Sequence, residues 1–164
     1  MAAQKITPCL WFDGEAEEAA RLYVSIFRNS RITDISRYGK EGFEVHGRPE
    51  GSVMVVAFEI EGQSFTALNG GPHYKLSPAI SFQVPCESQE EIDYFAERLS
   101  EGGEIGPCGW VTDRFGLSWQ IFPTALPEML RDADPAKAGR AMRAMLGMKK
   151  IDLAQLRAAY LGKE

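Results

Sequence analysis

The residues that could carry out nucleophilic or metal chemistry are few and lie far apart in the sequence. The chain has three cysteines, Cys9, Cys86 and Cys108, and two histidines, His46 and His73. Because no two cysteines form a CxxC pair and their number is odd, the pattern argues against a cysteine zinc site or a disulfide framework. Both histidines fall in predicted loops, away from any cysteine on a strand. The thiols are therefore interpreted as inert, since a nucleophilic cysteine needs a neighbouring base.

Acid–base chemistry has two carboxylate candidates and one imidazole candidate. Asp113 precedes Arg114-Phe115-Gly116, a sequence that favours a turn-stabilising role for the carboxylate. Glu59 lies near the end of a predicted strand and would be an isolated charge if its row lined a cavity. His73, beside Tyr74, could reach the mouth of such a cavity. Glu59 and His73 are the catalytic candidates, and both are weak.

The spacing of apolar residues predicts a strand, a helix and three further strands in the first half of the chain. Residues 6–12 form a short apolar run. Asp13 then follows as an N-cap for a helix whose buried stripe includes Ala20 and Tyr23. Further strands are expected over residues 31–38, 52–60 and 63–69, with residues 39–51 as a loop or mobile flap.

The same order of elements then restarts, which predicts an internal duplication. Residues 77–82 match residues 7–12 at an offset of 70. A helix with a Ser88–Glu91 capping box follows, and its apolar stripe matches that of the first helix at an offset of 72. Short strands are expected around residues 104–106, 108–113 and 117–122.

From Pro123 onward the sequence becomes helical and rich in methionine. Asp134, followed by Pro135, is placed to cap one helix, and Asp152 with Gln155 to cap the last. Apolar stripes on these helices indicate burial against the body of the protein or against a partner subunit. Their polar faces mix charges of both signs, which disfavours a lipid-binding role.

Alternation sorts each predicted strand into two rows of side chains. One row is bulky and apolar, as in Leu10, Phe12, Ile80 and Phe82, and is expected to pack beneath the helices. The opposite row is small or polar with occasional aromatic residues, a composition typical of a cavity wall. A tight strand crossing or a dimer interface would also need small residues. The predicted cavity residues are Thr7, Cys9, Trp11, Ala67, Asn69, Ser77, Ser81, Gln83 and Gln120.

The distribution of charge bears on partners and location. Residues 1–124 carry 10 Lys and Arg against 18 Asp and Glu, and residues 125–164 carry 8 against 5. The cations of the tail lie beside acidic residues without interleaved aromatics, so we interpret them as a solvated helix face and expect no nucleic-acid partner. The absence of an apolar leader or a long apolar run predicts a cytoplasmic protein that does not bind membranes.

The duplicated unit resembles the vicinal-oxygen-chelate superfamily of glyoxalases, bleomycin-resistance proteins and dioxygenases. Residues 108–123, CGWVTDRFGLSWQIFP, and residues 77–82, SPAISF, resemble its PhnB-like subfamily more narrowly. So do the tail motifs DPAKA at 134–138 and AMLGMKKID at 144–152. The resemblance implies an α+β fold and a homodimer. It pairs two βαβββ modules, 4–71 and 75–124, in a curved mixed sheet around a cavity, followed by a helical tail, 125–164.

The resemblance also implies four positions for metal ligands, on the first and last strands of each module. Here they correspond to Thr7, Ser77, Ala67 (or Phe65 if the register slips) and Gln120. Gln120 alone is a plausible ligand, and a single neutral amide holds a transition metal poorly. The sequence therefore predicts no metal and no cofactor, with Gln120 forming a hydrogen bond to a ligand.

Members of the subfamily are often labelled 3-demethylubiquinone 3-methyltransferase. An AdoMet site usually places a glycine-rich loop between the first strand and helix of an open α/β sheet. The first strand here runs into Asp13-Gly14-Glu15 instead, which argues against methyl transfer. The leading hypothesis is a metal-free dimer that binds a small, largely apolar or aromatic molecule. A metal-dependent lyase or dioxygenase, and an interaction protein acting through its basic, Met-rich tail, are the alternatives.

Overall fold

The computed structural model describes residues 4–163. The chain divides into two compact units, Met1–Leu76 and Ser77–Glu164. Each unit is built around its own four-stranded sheet. The exact bounds proposed above for the modules and the tail remain a prediction.

The first unit orders its strands β1-β4-β3-β2. Its elements are β1 (Cys9–Phe12), α1 (Ala16–Ile26), β2 (Arg31–Arg37), α2 (Phe43–His46), β3 (Val53–Ile60) and β4 (Gln63–Asn69). Strand β1 pairs in parallel with β4, whereas the β2–β3 and β3–β4 pairs are antiparallel. The parallel pair needs a long crossover, and the α1–β2–β3 segment supplies it.

Small residues let helix α1 pack closely on one face of this sheet. Ala16, Ala19 and Ala20 are fully buried, so the helix backbone approaches the strands without bulky side chains between them. Farther along the helix, the rings of Tyr23 and Phe58 lie 6.2 Å apart between centroids. The sheet residues beneath the helix are Leu10, Phe12, Val56, Phe58, Phe65 and Ala67, all buried.

Residues 39–51, predicted as a loop or mobile flap, contain the short helix α2 and are tied to the rest of the unit. The Arg48 guanidinium lies 3.0 Å from the Asp13 carboxylate. The Tyr38 and His46 rings stack at 4.5 Å. Asp13, expected to cap α1, is therefore engaged with this segment, and α1 begins after Glu15 without a side-chain cap from its own N-cap residue.

The second unit repeats the topology of the first. It contains β5 (Ser81–Cys86), α3 (Gln89–Ser100), β6 (Glu104–Ile105), β7 (Trp110–Thr112) and β8 (Ser118–Pro123). The strand order is β5-β8-β7-β6, with β5 and β8 parallel. The predicted α+β fold of two βαβββ modules is confirmed. The Ser88 hydroxyl accepts from the Glu91 backbone N–H at 3.2 Å, as the capping box predicts.

The positions of the buried residues change the expected alignment of the first strand of one module with the first strand of the other. The buried residues Leu10 and Phe12 in β1 correspond to the buried Val84 and Cys86 in β5, an offset of 74 rather than 70 in the sequence. Ile80, expected beneath the helices, lies outside β5 and is 69% exposed. The Pro and Phe matches at an offset of 70 preserve the alternation of the strand but place the second strand four residues too early.

Three tail helices complete the second unit: α4 (Leu126–Leu130), α5 (Pro135–Leu146) and α6 (Leu153–Leu161). Asp134 and Asp152 cap α5 and α6 through hydrogen bonds to backbone N–H groups at 2.9 Å, as predicted. The helices share a buried cluster of Leu126, Met129, Ala141, Ile151 and Leu156. Within the described part of the chain, no helix has the length and apolar character needed to cross a bilayer.

The segment between α5 and α6 binds back to the sheet of the second unit. The backbone N–H groups of Cys108 and Gly109 donate to Met148 and Lys149 carbonyls at 2.8 and 2.7 Å. The Gln89 amide contacts the backbone of Ile151 and Leu153 at 3.1 and 2.8 Å. The tail is thus held by specific backbone hydrogen bonds as well as by apolar packing.

Candidate ligand-binding face

Polar side chains line one face of the second sheet in two cross-strand rows. In the first row, Ser81 is in register with Ser118, and Ser118 with Thr112. In the second row, Gln83 is in register with Gln120, and Gln120 with Trp110. Directly opposed residues on neighbouring strands have Cβ atoms about 5 Å apart, so each row forms one continuous surface. We call the surface formed by these six residues the Gln120 face.

Two hydroxyl groups on the Gln120 face differ in how their hydrogen-bonding capacity is met. The Gln120 side-chain Nε2 donates to the Ser81 Oγ at 2.8 Å. The neighbouring Ser118 is 1% exposed, and its Oγ has no hydrogen-bond partner among the described residues. A buried hydroxyl without a partner costs about 1–3 kcal/mol. The face therefore carries an unused donor beside an amide that is already oriented.

The opposite face of β8 is closed, and the hydrogen bonds on that side explain the role of Asp113. The Asp113 Oδ1 accepts from the backbone N–H groups of Phe115 and Leu117, at 2.9 and 3.0 Å. Its Oδ2 accepts from the Trp119 indole at 3.0 Å. As expected, Asp113 stabilises the turn before β8. By fixing Trp119 on the helix-covered side, it also sets the alternation that directs Ser118 and Gln120 to the other side.

In the first unit, the residues that correspond to the Gln120 face are not those predicted on β4. Strand β1 is in register with β4 so that Cys9 faces Thr66 and Trp11 faces Leu68. Ala67, instead, is paired with Leu10 and is fully buried on the face under α1. The placement of Ala67 on the cavity row was wrong, and the register alternative Phe65 fails for the same reason. Ala67 is small because α1 packs directly on it.

Asn69, also predicted as a cavity residue, lies on the helix-covered face too and has a structural role. It is 6% exposed. Its Oδ1 accepts from the Ala16 backbone N–H at 2.9 Å, and its Nδ2 donates to the Val53 carbonyl at 3.1 Å. The first bond satisfies the N–H of the first residue of α1 and the second holds the amide against β3, so the amide of Asn69 is not available to a ligand.

Trp11 is half-buried at the end of β1 and packs against the segment that follows β4. Its indole Nε1 donates to the Gly71 carbonyl at 2.8 Å, and its ring meets Tyr74 edge-on at 4.9 Å. A Cβ on Gly70 would come within 2.2 Å of the Trp11 ring. Glycine at position 70 is therefore what allows the indole to lie flat on the chain.

The two residues predicted at the start of the first strands lie before the strands themselves. Thr7 precedes β1 and is exposed. Ser77 lies in a turn before β5, where its Oγ accepts from the Ala79 backbone N–H at 3.4 Å. At the corrected offset of 74, the counterpart of Thr7 is Ser81, which is the residue bound by Gln120. The prediction that Ser77 occupies a strand position is wrong.

The catalytic candidates have ordinary surroundings. Glu59 is not an isolated charge, because Arg31 on the adjacent strand lies 3.0 Å from its carboxylate. His73 is exposed in the segment after β4. His46 accepts from the Arg48 backbone N–H through Nδ1 at 2.9 Å, and its Nε2 lies 3.1 Å from the Glu41 carbonyl. These two contacts tie the ring of His46 to the backbone of Glu41 and Arg48.

The three cysteines form no disulfide and differ in exposure. Cys86 is fully buried. Desolvation, with smaller contributions from Glu91 and Glu87, raises the pKa of its thiol to about 12. A thiol with so high a pKa is not a nucleophile near neutral pH. Cys9 is exposed on β1 and Cys108 half-buried before β7.

The residues at the expected ligand positions do not fit a transition-metal ion. With β4 corrected, these positions offer the hydroxyls of Thr7, Thr66 and Ser81 and the amide of Gln120. Transition metals in proteins are held mainly by imidazole, thiolate and carboxylate groups. Among residues 4–163, no three His, Cys, Asp or Glu side chains are grouped to hold a metal ion. No step of a reaction is therefore assigned to a metal.

Sequence comparison establishes the family. The model of the family described as 3-demethylubiquinone-9 3-methyltransferase matches residues 4–122. The chain belongs to this family. A PhnB protein from Bacillus cereus is 36% identical to it, the alignment covers 73% of this chain and 99% of that protein, and the TM-score is 0.62. The resemblance to PhnB proteins is thereby confirmed.

Other comparisons add less to the family assignment. A protein from Pseudomonas aeruginosa is 20% identical over 74% of this chain and 98% of its own, with a TM-score of 0.59, and shares the fold. A Staphylococcus aureus protein is 30% identical over 73% of this chain and 96% of its own, with a TM-score of 0.33. A search of curated proteins gives no match for this chain. The family match ends before the tail helices, at residue 122.

Some residues of the candidate site could have been found from the sequence. Ser118 falls in the same alternating row as Gln120, and the absence of a charged residue in that row was visible. Thr66 and Leu68 were overlooked because the small residue Ala67 resembled part of a cavity wall. Trp110 and Thr112 require the register of β7 against β8, which no local pattern specifies.

Proposed function

We propose that this protein binds a small, largely apolar or aromatic organic molecule on the Gln120 face, through hydrogen bonds and without a metal ion. The observation that carries the proposal is the buried Ser118 hydroxyl without a protein partner. Proteins usually satisfy buried polar groups. A ligand with a hydrogen-bond acceptor would supply the partner that the Ser118 hydroxyl lacks. The proposal places the protein among ligand-binding members of its family.

The chemistry of the face favours a neutral carbonyl or ether compound. Ser118 can donate its hydroxyl proton, and the Gln120 amide, held by Ser81 at 2.8 Å, can bond a second polar atom. Trp110, in register with Gln120, supplies an aromatic surface for an apolar ring. The six residues of the face carry no charge, so an ionic ligand would lack a counter-charge among them.

The name of the family refers to methyl transfer, and the strand–helix connections do not support a site for AdoMet. The connection after β1 is Asp13-Gly14-Glu15, and the connection after β5 is Glu87-Ser88. Neither is a glycine-rich loop of the kind that lets a backbone approach a nucleoside closely. We therefore propose binding, without methyl transfer, as the function of the chain.

The remaining parts of the proposal concern assembly and location. We propose a cytoplasmic homodimer, consistent with three cysteines that form no disulfide and with the exposed apolar residues Met142, Leu146 and Leu161 of the tail helices. Light scattering during size-exclusion chromatography measures the oligomeric state directly. A monomer at micromolar concentration would contradict the dimer without affecting ligand binding within one chain.

Titration with neutral aromatic carbonyl probes tests the ligand site. Acetophenone and 1,4-naphthoquinone should bind the untagged protein saturably in equilibrium dialysis, and Gln120→Ala should weaken binding about tenfold, the loss of one or two hydrogen bonds. The matched control is Gln63→Ala, which removes an exposed glutamine at the start of β4. Equal binding by both variants would remove the Gln120 face as the site.

A further inference from the structure

Two arginines line a groove between helices α5 and α6, in the tail of the second unit. The groove has a volume of about 780 Å³ and is lined by Arg140, Arg143, Ala144, Ala159 and Gly162. Its volume lies within the range of about 300–1,000 Å³ that is usual for small-molecule sites. The alanines and the glycine keep the floor open, so the two guanidinium groups are the main chemical features of the groove.

Arg140 is fixed in place by the end of α6. Its Nε donates to the Ala159 carbonyl at 3.0 Å and its Nη2 to the Tyr160 carbonyl at 2.9 Å. These bonds hold the guanidinium at the wall of the groove. Neutral carbonyls leave its positive charge uncompensated, and no carboxylate among the described residues forms an ion pair with it.

The guanidinium of Arg143, in contrast, forms no hydrogen bond or ion pair with any residue that the structure describes, whereas its backbone carbonyl accepts from the Gly147 N–H at 3.3 Å. It lies three positions after Arg140 on α5, a spacing that places side chains on the same side of a helix, about 5–6 Å apart at Cβ. None of the residues that line the groove is acidic. The surrounding tail, residues 125–164, has 8 Lys and Arg against 5 Asp and Glu. Charge complementarity thus points to an anion.

We propose that this groove binds a soluble small molecule through a phosphate group held between Arg140 and Arg143. A guanidinium offers a planar fork of N–H donors, which matches the oxygens of a phosphate. Two forks on one side of a helix can bind different oxygens of the same group, and phosphate also carries close to two negative charges. The site is distinct from the Gln120 face, whose residues are uncharged, and does not depend on the function proposed above.

Calorimetric titration with pyrophosphate tests the groove. The wild-type chain should bind pyrophosphate at low ionic strength, and Arg143→Ala should weaken binding at least fivefold, with Arg143→Glu abolishing it. The Arg143 side chain is exposed and forms no hydrogen bond or ion pair with the described residues, so these variants should fold normally. The matched control, Arg157→Ala, removes an exposed arginine of α6 outside the groove and should leave the affinity unchanged.

Two results would overturn the proposal. Equal losses in the Arg143 and Arg157 variants would show a general effect of net charge, and no binding by the wild type would remove the site altogether. Sedimentation with vesicles containing phosphatidic acid separates the sources of phosphate. Binding to these vesicles without any response to pyrophosphate would indicate a lipid headgroup and would contradict a soluble ligand. Naphthoquinone binding should be unchanged in Arg143→Ala.

Discussion

The side-chain oxygen of Asn69, the last residue of β4, accepts a hydrogen bond from the backbone N–H of Ala16, the first residue of α1. Residues that are 53 positions apart in sequence are joined at 2.9 Å in a buried setting. A cap for a helix usually comes from the residue that precedes it. In this module the cap comes from the strand that closes the sheet.

Asn69→Ala should lower the free energy of unfolding by about 2–3 kcal/mol, because it leaves buried backbone groups without partners. Urea denaturation measures the change. Asp13→Ala is the control, since the sequence predicts Asp13 as the cap of α1 but its carboxylate pairs with Arg48 at the surface. It should cost less than about 1 kcal/mol. Comparable losses in the two variants would contradict the assignment of the cap to Asn69.

Ser118→Ala should stabilise the ligand-free protein by about 1 kcal/mol while weakening the binding of naphthoquinone. The substitution removes a buried hydroxyl that has no partner, and removing an unsatisfied group recovers part of its desolvation cost. Thermal unfolding and equilibrium dialysis of the same preparation give both quantities. Ser64→Ala, at the corresponding position of β4, should change neither by a comparable amount. A loss of stability in Ser118→Ala would show that the hydroxyl has a partner.

Gly70→Ala should destabilise the first unit by about 2–3 kcal/mol, because the new methyl group would overlap the Trp11 ring. Near-UV circular dichroism should also change as the indole leaves its position on the chain. In Gly14→Ala the added methyl group would meet only the Arg48 side chain, at 3.9 Å, and the variant should behave like the wild type. An unchanged spectrum for Gly70→Ala would mean that the contact is not maintained in solution.

The buried thiol of Cys86 should make the free energy of unfolding fall as the pH rises above about 9. Burial raises the pKa of its thiol from 9.0 to about 12, so above pH 9 the unfolded chain loses a proton that the folded chain retains. The stabilising contribution is complete below the unfolded pKa and is lost as the pH rises toward 12. The difference in unfolding free energy between the wild type and Cys86→Ala should shrink from about pH 8 to about pH 10.5. Cys9→Ala, which removes the exposed thiol, should show the pH dependence of the wild type.

Untagged protein purified from metal-supplemented cells should contain well below one transition-metal ion per chain by mass spectrometry. The hydroxyl and amide groups at the expected positions are poor ligands for such ions. Replacing the registered pair Gln83 and Gln120 by His and Glu supplies a positive control, because it places two good ligands on adjacent strands. One tightly held metal in the wild type would contradict the metal-free proposal and favour a lyase or dioxygenase.

Features determined by a few consecutive residues were predictable from the sequence. The caps at Ser88, Asp134 and Asp152 form as expected, since each side chain bonds an N–H two or three residues ahead. The duplication was visible because each strand is followed by an amphipathic helix. Among the predicted caps, Asp13 is the exception, because its carboxylate pairs with Arg48 and Asn69 caps α1 in its place.

Features that depend on distant pairing were predicted less well. Ala67 was placed on the wrong side of β4 because a small residue fits a cavity wall and a close helix contact equally well. Only its register with Leu10 decides between them. Likewise, an alternation of polar and apolar residues follows both Ser77 and Ser81. The pairing of β5 with β8 determines that the strand begins at Ser81. Sheet register is set by contacts across the fold, so composition alone left it open.

The different caps of α1 and α3 imply different orders of folding in the two modules. Helix α3 carries its own cap in Ser88, so its first turn can be satisfied while the rest of the chain is still unfolded. Helix α1 takes its cap from Asn69 and cannot complete its first turn until a long loop has closed, a step with a substantial entropic barrier. We therefore expect α3 to gain protection from hydrogen exchange earlier in refolding than the start of α1, although both helices occupy the same place in duplicated modules.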